Sequence, residues 1–106
     1  MNKIMNIKEL LSRYAAGQRD FRNTNLMAAN LRNMNLSGID LSGANLTKAN
    51  LTRANLSYAN LTDAILTGAN LTDTNLTKTK LRNANLTGTN PNDAILRHAD
   101  LHGIIT

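Results

Sequence analysis

His98, Asp100 and His102 stand at alternate positions and come nearer than any other residues of this chain to a reactive constellation. Imidazoles beside a carboxylate can ligate a metal or relay a proton. Two histidines with no second carboxylate, close to the C-terminal end, make a poor ligand or acid/base set, and plain solvent exposure is expected of them. Serine and threonine abound, but they fill the slot after leucine throughout, so no hydroxyl is singled out as a nucleophile. The absence of cysteine removes disulfides and thiolate metal sites. Eight Asn-Leu-Ser/Thr triplets, beginning at Asn35, Asn45 and Asn50, fit the N-glycosylation pattern, yet they follow from the phase of a repeat and carry no message about secretion. No catalytic, cofactor-binding or metal-binding residue is expected, and no cofactor.

A net charge of +5 and a pI near 10.1 raise the question of nucleic acid. Along the chain, however, Asp40, Asp63, Asp73, Asp93 and Asp100 alternate with Lys48, Arg53, Lys78, Lys80, Arg82 and Arg97. Nucleic-acid footprints are normally clustered on one face, so a solvated surface is expected and nucleic acid is not an expected partner. No apolar run approaches the ~18 residues of a membrane span. The start, MNKIMNIKELL, is interrupted by polar residues every two or three positions, unlike a secretory leader. A soluble, cytoplasmic protein is expected.

What must position these side chains is a repeat. In LSGANLTKANLTRANLSYANL, Leu41 to Leu61, leucine returns at every fifth residue. Five residues advance an α-helix by about 140°, which scatters the leucines around it; on a flat strand an odd step sends successive leucines to opposite faces. If the chain bends once per unit, every leucine can point to a common axis. The period therefore predicts a solenoid. The register holds from Phe21 to Leu101 with leucine at every central position but Phe21 and Pro91. Two residues before each from Leu26 onward come alanines, with Thr24, Thr74, Thr79, Thr89, Met34 and Ile39 as the exceptions, and Ile104 takes that place after Leu101. No charge occupies either inward slot between Phe21 and Ile104. Only Tyr14, Phe21 and Tyr58 are aromatic, so a conventional mixed core would lack bulk.

Residues 2–17 read as one helix, with Ile4, Ile7, Leu10, Leu11, Tyr14 and Ala15 at helical spacing. Asn6 and Glu9 have the form of a capping box, and Gly17 supplies a stop. A helix this short is marginal alone and is expected to close the N-terminal end of the solenoid, as repeat arrays require. An amphipathic membrane-surface helix, with Lys3, Lys8 and Arg13 on its polar side, is the alternative.

The A-N-L-[ST]-x pattern, continuous over residues 19–106, resembles the pentapeptide repeat family, and LLSRYAAGQRDF resembles the segment that precedes the repeats in cyanobacterial members. The resemblance implies an all-β solenoid, a right-handed quadrilateral β-helix of about four coils, roughly 20 Å long at ~4.8 Å per layer. The expected division is 1–18 for an N-terminal α-helical cap and 19–106 for the β-helix. Four sides would stack Phe21, Leu41, Leu61, Leu81 and Leu101 in one core column, and Leu26, Leu46, Leu66 and Leu86 in a second. Leu31, Leu51, Leu71 and Pro91 would form a third, and Leu36, Leu56, Leu76 and Leu96 the last. Phe21, Met34 and Ile39 would fill space under the helix. Pro91, confined to edges in β structure, would mark termination of the array.

The functional expectation is a non-enzymatic scaffold for protein–protein contacts, since a solenoid offers extended surfaces and no built-in cleft. The side carrying Leu26, Leu46, Leu66 and Leu86 is expected to be the least charged. Met27, Ile65 and Thr67 are its candidate partner surface, and Lys48 its only charge. Two alternatives stand behind this reading. A topoisomerase-protecting DNA mimic, an activity known in the family, needs an acidic and longer rod; ice binding would use Thr47, Thr67 and Thr87, whose neighbours Lys48, Met27 and Gly68 spoil a flat threonine lattice. No second capping helix is legible after Leu101, so an end-to-end homodimer through Pro91, Leu96, Leu101 and Ile104 is expected, against a longer parent chain or a fold-back plug.

Overall fold

The computed structural model describes residues 2–106, so position 1 of the expected 1–18 segment lies outside the described residues. The backbone of the repeats is held by parallel bridges between residues twenty apart, grouped in four ladders. One runs Asp20, Asp40, Asn60, Lys80, Asp100; the second Asn25, Asn45, Ile65, Asn85, Ile105; the third Asn30, Asn50, Asn70; the fourth Asn35, Asn55, Asn75, Ile95. Each bridge is a single residue wide. The residue before leucine is the only one of each five outside a turn that points away from the axis.

The corner explains why the pattern is five long. The leucine carbonyl accepts from the N–H three residues on, as in Ala49 N–H to Leu46 at 3.0 Å, and the second residue after leucine takes a positive φ. Glycine at 38, 43, 68, 88 and 103 does this without steric cost; Lys48, Arg53, Tyr58, Lys78 and His98 do it against their intrinsic preference. The residue before leucine locks the turn from outside. Asn45 Oδ1 accepts from Thr47 N–H at 3.0 Å and from the Thr47 hydroxyl at 2.6 Å, and the same bond recurs at Asn50, Asn70, Asn75 and Asn85. Asparagine and threonine are thus structural at these slots, through an Asx-turn.

Inside, Phe21 and the leucines from Leu26 to Leu86 are at most 3% exposed. Leu96 is half-buried and Leu101 is 37% exposed, so the expected core thins out where no further layer packs beneath it. Pro91 heads a single 3₁₀ turn, Pro91–Asp93, in place of the usual corner. The third ladder is not carried from Asn70 to Asn90, and Asp73 N–H bonds to Asp93 rather than to Asn92. Proline fixes φ near −65° and restricts the residue before it; Asn90 stands at φ −116° and ψ 91°, where this local change of register begins.

The helix is shorter than the sequence pattern predicts: α1 spans Ile7–Ala15, and residues 2–5 lie outside it, with Ile4 in a bridge. Asn6 is its N-cap, its side-chain oxygen accepting from Lys8 N–H at 2.8 Å and Glu9 N–H at 3.4 Å. Glu9 does not complete a capping box but pairs with Arg13. Ile4 bridges Asn25, and Met5 N–H donates to the Asn25 carbonyl at 2.8 Å. The segment before the cap therefore extends the second ladder by a rung, an interaction outside the reach of helical periodicity. Leu10 is fully buried, while Ile7 and Tyr14 pack half-buried against the core. The Tyr14 hydroxyl donates to the Ser37 carbonyl at 2.6 Å, and Arg19 lies 3.7 Å over the Tyr14 ring. Ile4, Leu11 and Ala15 are exposed. Among the described residues no helix is long and apolar enough to cross a membrane.

Candidate interaction surfaces

Asp100 and His102 are tied to a surface ion pair. Asp100 accepts from Arg82 Nε at 2.7 Å and from His102 N–H at 3.1 Å, with His102 Nδ1 at 3.2 Å. The Arg82 hydrogen bond, helped by the His102 amide, lowers the Asp100 pKa to about 2. Asp20 is likewise lowered, by its hydrogen bonds from Arg22. His98 makes no part of this group, and among the described residues no three metal-ligating side chains converge.

The second ladder spans the whole stack, from Ile4 through Ile65 to Ile105. Ile4 is 61%, Ile65 40% and Ile105 53% exposed, with Met27 at 40% on the adjoining corner. Thr67 is half-buried beside them. Ile65 stands where asparagine locks the corner on neighbouring layers, so Thr67 lacks the side-chain acceptor that Thr47 and Thr87 have. Isoleucine there forgoes the corner-locking hydrogen bond. This departure from the repeat is the sequence signal for a surface, and it is repeated at Lys80, Ile95 and Ile105. Thr47 and Thr87 donate their hydroxyls to Asn45 and Asn85.

At the opposite end from α1, Pro91, Leu96 and Ile104 are half-buried and Leu101 is exposed, with Ile95 half exposed beside them. At the α1 end an open hollow of about 450 Å³ lies between the helix and the first layer, lined in part by Lys3, Arg13, Arg22 and Glu9. Two of its three cations are already engaged, Arg13 by Glu9 and Arg22 by Asp20.

A family model described as pentapeptide repeats matches in eight copies, over residues 20–43, 35–73, 44–83 and 74–104. Among solved structures, a pentapeptide repeat protein from the Arabidopsis thaliana thylakoid lumen is 30% identical with a TM-score of 0.65. The match covers 79% of this chain but only 55% of that one, so this chain spans about half the length of that relative. A pentapeptide repeat protein from Nostoc PCC 7120 is 38% identical over 98% of this chain and 78% of its own, at a TM-score of 0.41. QnrB1, a plasmid-mediated fluoroquinolone resistance protein, is 20% identical over 78% of this chain and 57% of its own, at a TM-score of 0.34. No curated protein matches the sequence.

Proposed function

The chain belongs to the pentapeptide repeat family, whose known structures are right-handed quadrilateral β-helices, and from that premise we propose that it is a non-enzymatic scaffold that binds another protein through the side of its second ladder. In this reading 19–106 is a β-helix of about four coils, 1–18 is its cap, and Met27, Ile65 and Thr67 form the contact. The observation that carries it is Ile65. It replaces the corner-locking asparagine with an exposed apolar side chain, on a side whose only repeat-borne charge is Lys48. Interface cores are depleted in charge in this way. A DNA-mimic role is disfavoured by the +5 charge. The test is affinity capture with chemical cross-linking from the native cell, comparing wild type with Ile65→Asn and Ile65→Lys. Asparagine restores the repeat and leaves folding intact, so a partner cross-linked to wild type and lost from both variants supports the contact. A partner retained by both removes this side.

A second reading, self-association through Pro91, Leu96, Leu101 and Ile104, draws on the exposure of Leu101 and of the neighbouring Ile95 and Ile105. Edges with unpaired backbone groups template association, and symmetric dimers are the commonest homo-oligomers. Light scattering at micromolar concentration should give twice the 11.6 kDa of the chain, and Leu101→Asp should return it to monomer while Lys3→Asp leaves it dimeric. A wild type that is strictly monomeric rejects the contact.

A further inference from the structure

The fold gathers charge that the sequence scatters. Residues twenty apart share a corner, so alternation of acidic and basic residues along the chain does not alternate them in space. One corner carries Gly38, Tyr58, Lys78 and His98 in successive layers, tied by Gly38 N–H to Ser57 at 2.9 Å, Tyr58 N–H to Thr77 at 2.9 Å and Lys78 N–H to Arg97 at 2.8 Å. On the adjoining side Lys80 bridges Asp100, and Arg82 follows at the next corner. Lys78, Lys80, Arg82 and Arg97 are all exposed; Asp100 holds Arg82, Asp63 donates its N–H to the Arg82 carbonyl at 2.8 Å, and Asp40 stands two layers from Lys80 on the same ladder. The corner of Asn33, Arg53, Asp73 and Asp93 carries one cation and two carboxylates by contrast.

Above these cations stands the one aromatic ring of the repeats that is exposed. Tyr58 is 63% exposed and holds φ at 62°, a conformation costly for a bulky side chain. Lys78 Nζ lies over the ring, 5.6 Å from its centroid. The layer on the side away from Lys78 presents Gly38, where a Cβ would meet no heavy atom within 4 Å. The ring is thus a shelf with a cation under one face and an open slot toward the other. Lys80, like Ile65, occupies an asparagine slot that folding would fill with asparagine.

We infer that this corner binds single-stranded nucleic acid, one base stacking on Tyr58 in the slot left by Gly38 while the adjoining phosphates run over Lys78 and Arg97, with Lys80 beside them. Every base has a π-face, so stacking on such a platform tolerates any sequence. Phosphate neutralisation by the cations makes the binding fall with salt. Layers ~4.8 Å apart place Tyr58, Lys78 and His98 over roughly 10 Å, the reach of a short run of nucleotides. This site is separate from the apolar side proposed above and stands or falls without it.

The experiment is fluorescence anisotropy with a short labelled oligothymidylate and its oligouridylate counterpart, titrated with the full chain at several salt concentrations. Two variants remove the shelf without touching charge: Tyr58→Asn, because asparagine accepts a positive φ, and Gly38→Asn, which fills the slot. Each should weaken binding about fivefold or more and leave the salt slope unchanged. Arg97→Gln should weaken binding and reduce the slope by about one phosphate contact. Lys48→Gln removes the same charge from the apolar side and should change neither. Thermal unfolding of each variant separates loss of binding from loss of fold. The proposal is overturned if neither oligonucleotide binds at low salt, if Lys48→Gln acts as strongly as Arg97→Gln, or if Tyr58→Asn and Gly38→Asn have no effect. Equal competition by polyglutamate, indifferent to Tyr58, would assign the corner to acidic proteins instead.

Discussion

The Thr79 hydroxyl donates to the Leu56 carbonyl at 2.7 Å, between adjacent layers of the stack and from a position wholly shut off from water. Thr74 does the same to Leu51 at 2.7 Å. An inward threonine in an alanine slot is tolerated because the neighbouring layer offers a carbonyl lone pair, leaving no buried side-chain polar atom unmet among the described residues. Leu56 also accepts from Ala59 N–H at 3.0 Å, so removing the hydroxyl strands no acceptor. Thr79→Ala and Thr79→Val should each cost about 1 kcal/mol, the net worth of one hydrogen bond. Urea titration checks this; a loss several times larger would mean that the hydroxyl bond organises the layers around it.

Leu56 is 0% exposed with layers on both sides, and Leu101 is 37% exposed. Leu56→Ala should cost ~2–5 kcal/mol in transfer energy and cavity, a large share of the ~5–15 kcal/mol typical of a domain. Leu101→Ala should cost far less. Equal losses in denaturant titration would contradict a stack that weakens toward that end.

Ala28 sits at φ 58° in a corner, whereas Ala49 fills an inward slot at 0% exposure. Ala28→Gly should stabilise by up to about 1 kcal/mol by relieving the left-handed strain, and Ala49→Gly should destabilise by a similar amount or more. The pair has opposite signs for the same chemical change, which thermal unfolding can read.

Pro91 interrupts the third ladder, so Leu51 N–H bonds to Asn70 at 2.9 Å while no rung joins Asn70 to Asn90. Native-state hydrogen exchange should find the Leu71 amide less protected than that of Leu51. Pro91→Leu should restore the ladder and bring Leu71 toward the protection of Leu51; equal protection in the wild type would show that the interruption is closed in solution.

Asp100 is held to a pKa of about 2 by Arg82, below the ~3.9 of an unfolded aspartate. A depressed carboxyl pKa adds stability that is fully present above about pH 4 and is lost as pH falls through about 2. Arg82→Gln should raise the Asp100 pKa toward ~3.9 and narrow that window. Carboxyl-carbon NMR titration measures it directly, and an unchanged midpoint would assign the shift to the His102 amide.

The five-residue period alone dictated that leucine and its small neighbour face a shared axis, because neither helix nor flat strand can keep that step on one side. The repeat also kept charge out of the inward slots, while the separate Asn6-x-x-Glu9 pattern pointed to a cap at Asn6, inside a helix that the spacing began at residue 2. Three features needed the fold. Ile4 could join the second ladder only after the first layer existed to receive it, since its partner Asn25 is remote in sequence and the bond is made by backbone that every residue carries. The left-handed corners were invisible in the pattern because lysine, arginine, tyrosine and glycine share the slot, and local geometry overrides their preferences. The grouping of Tyr58, Lys78, Arg97 and Lys80 arises from a twenty-residue return. Coulomb and stacking forces depend on distance in space, and only the coil converts sequence separation into the proximity of adjacent layers.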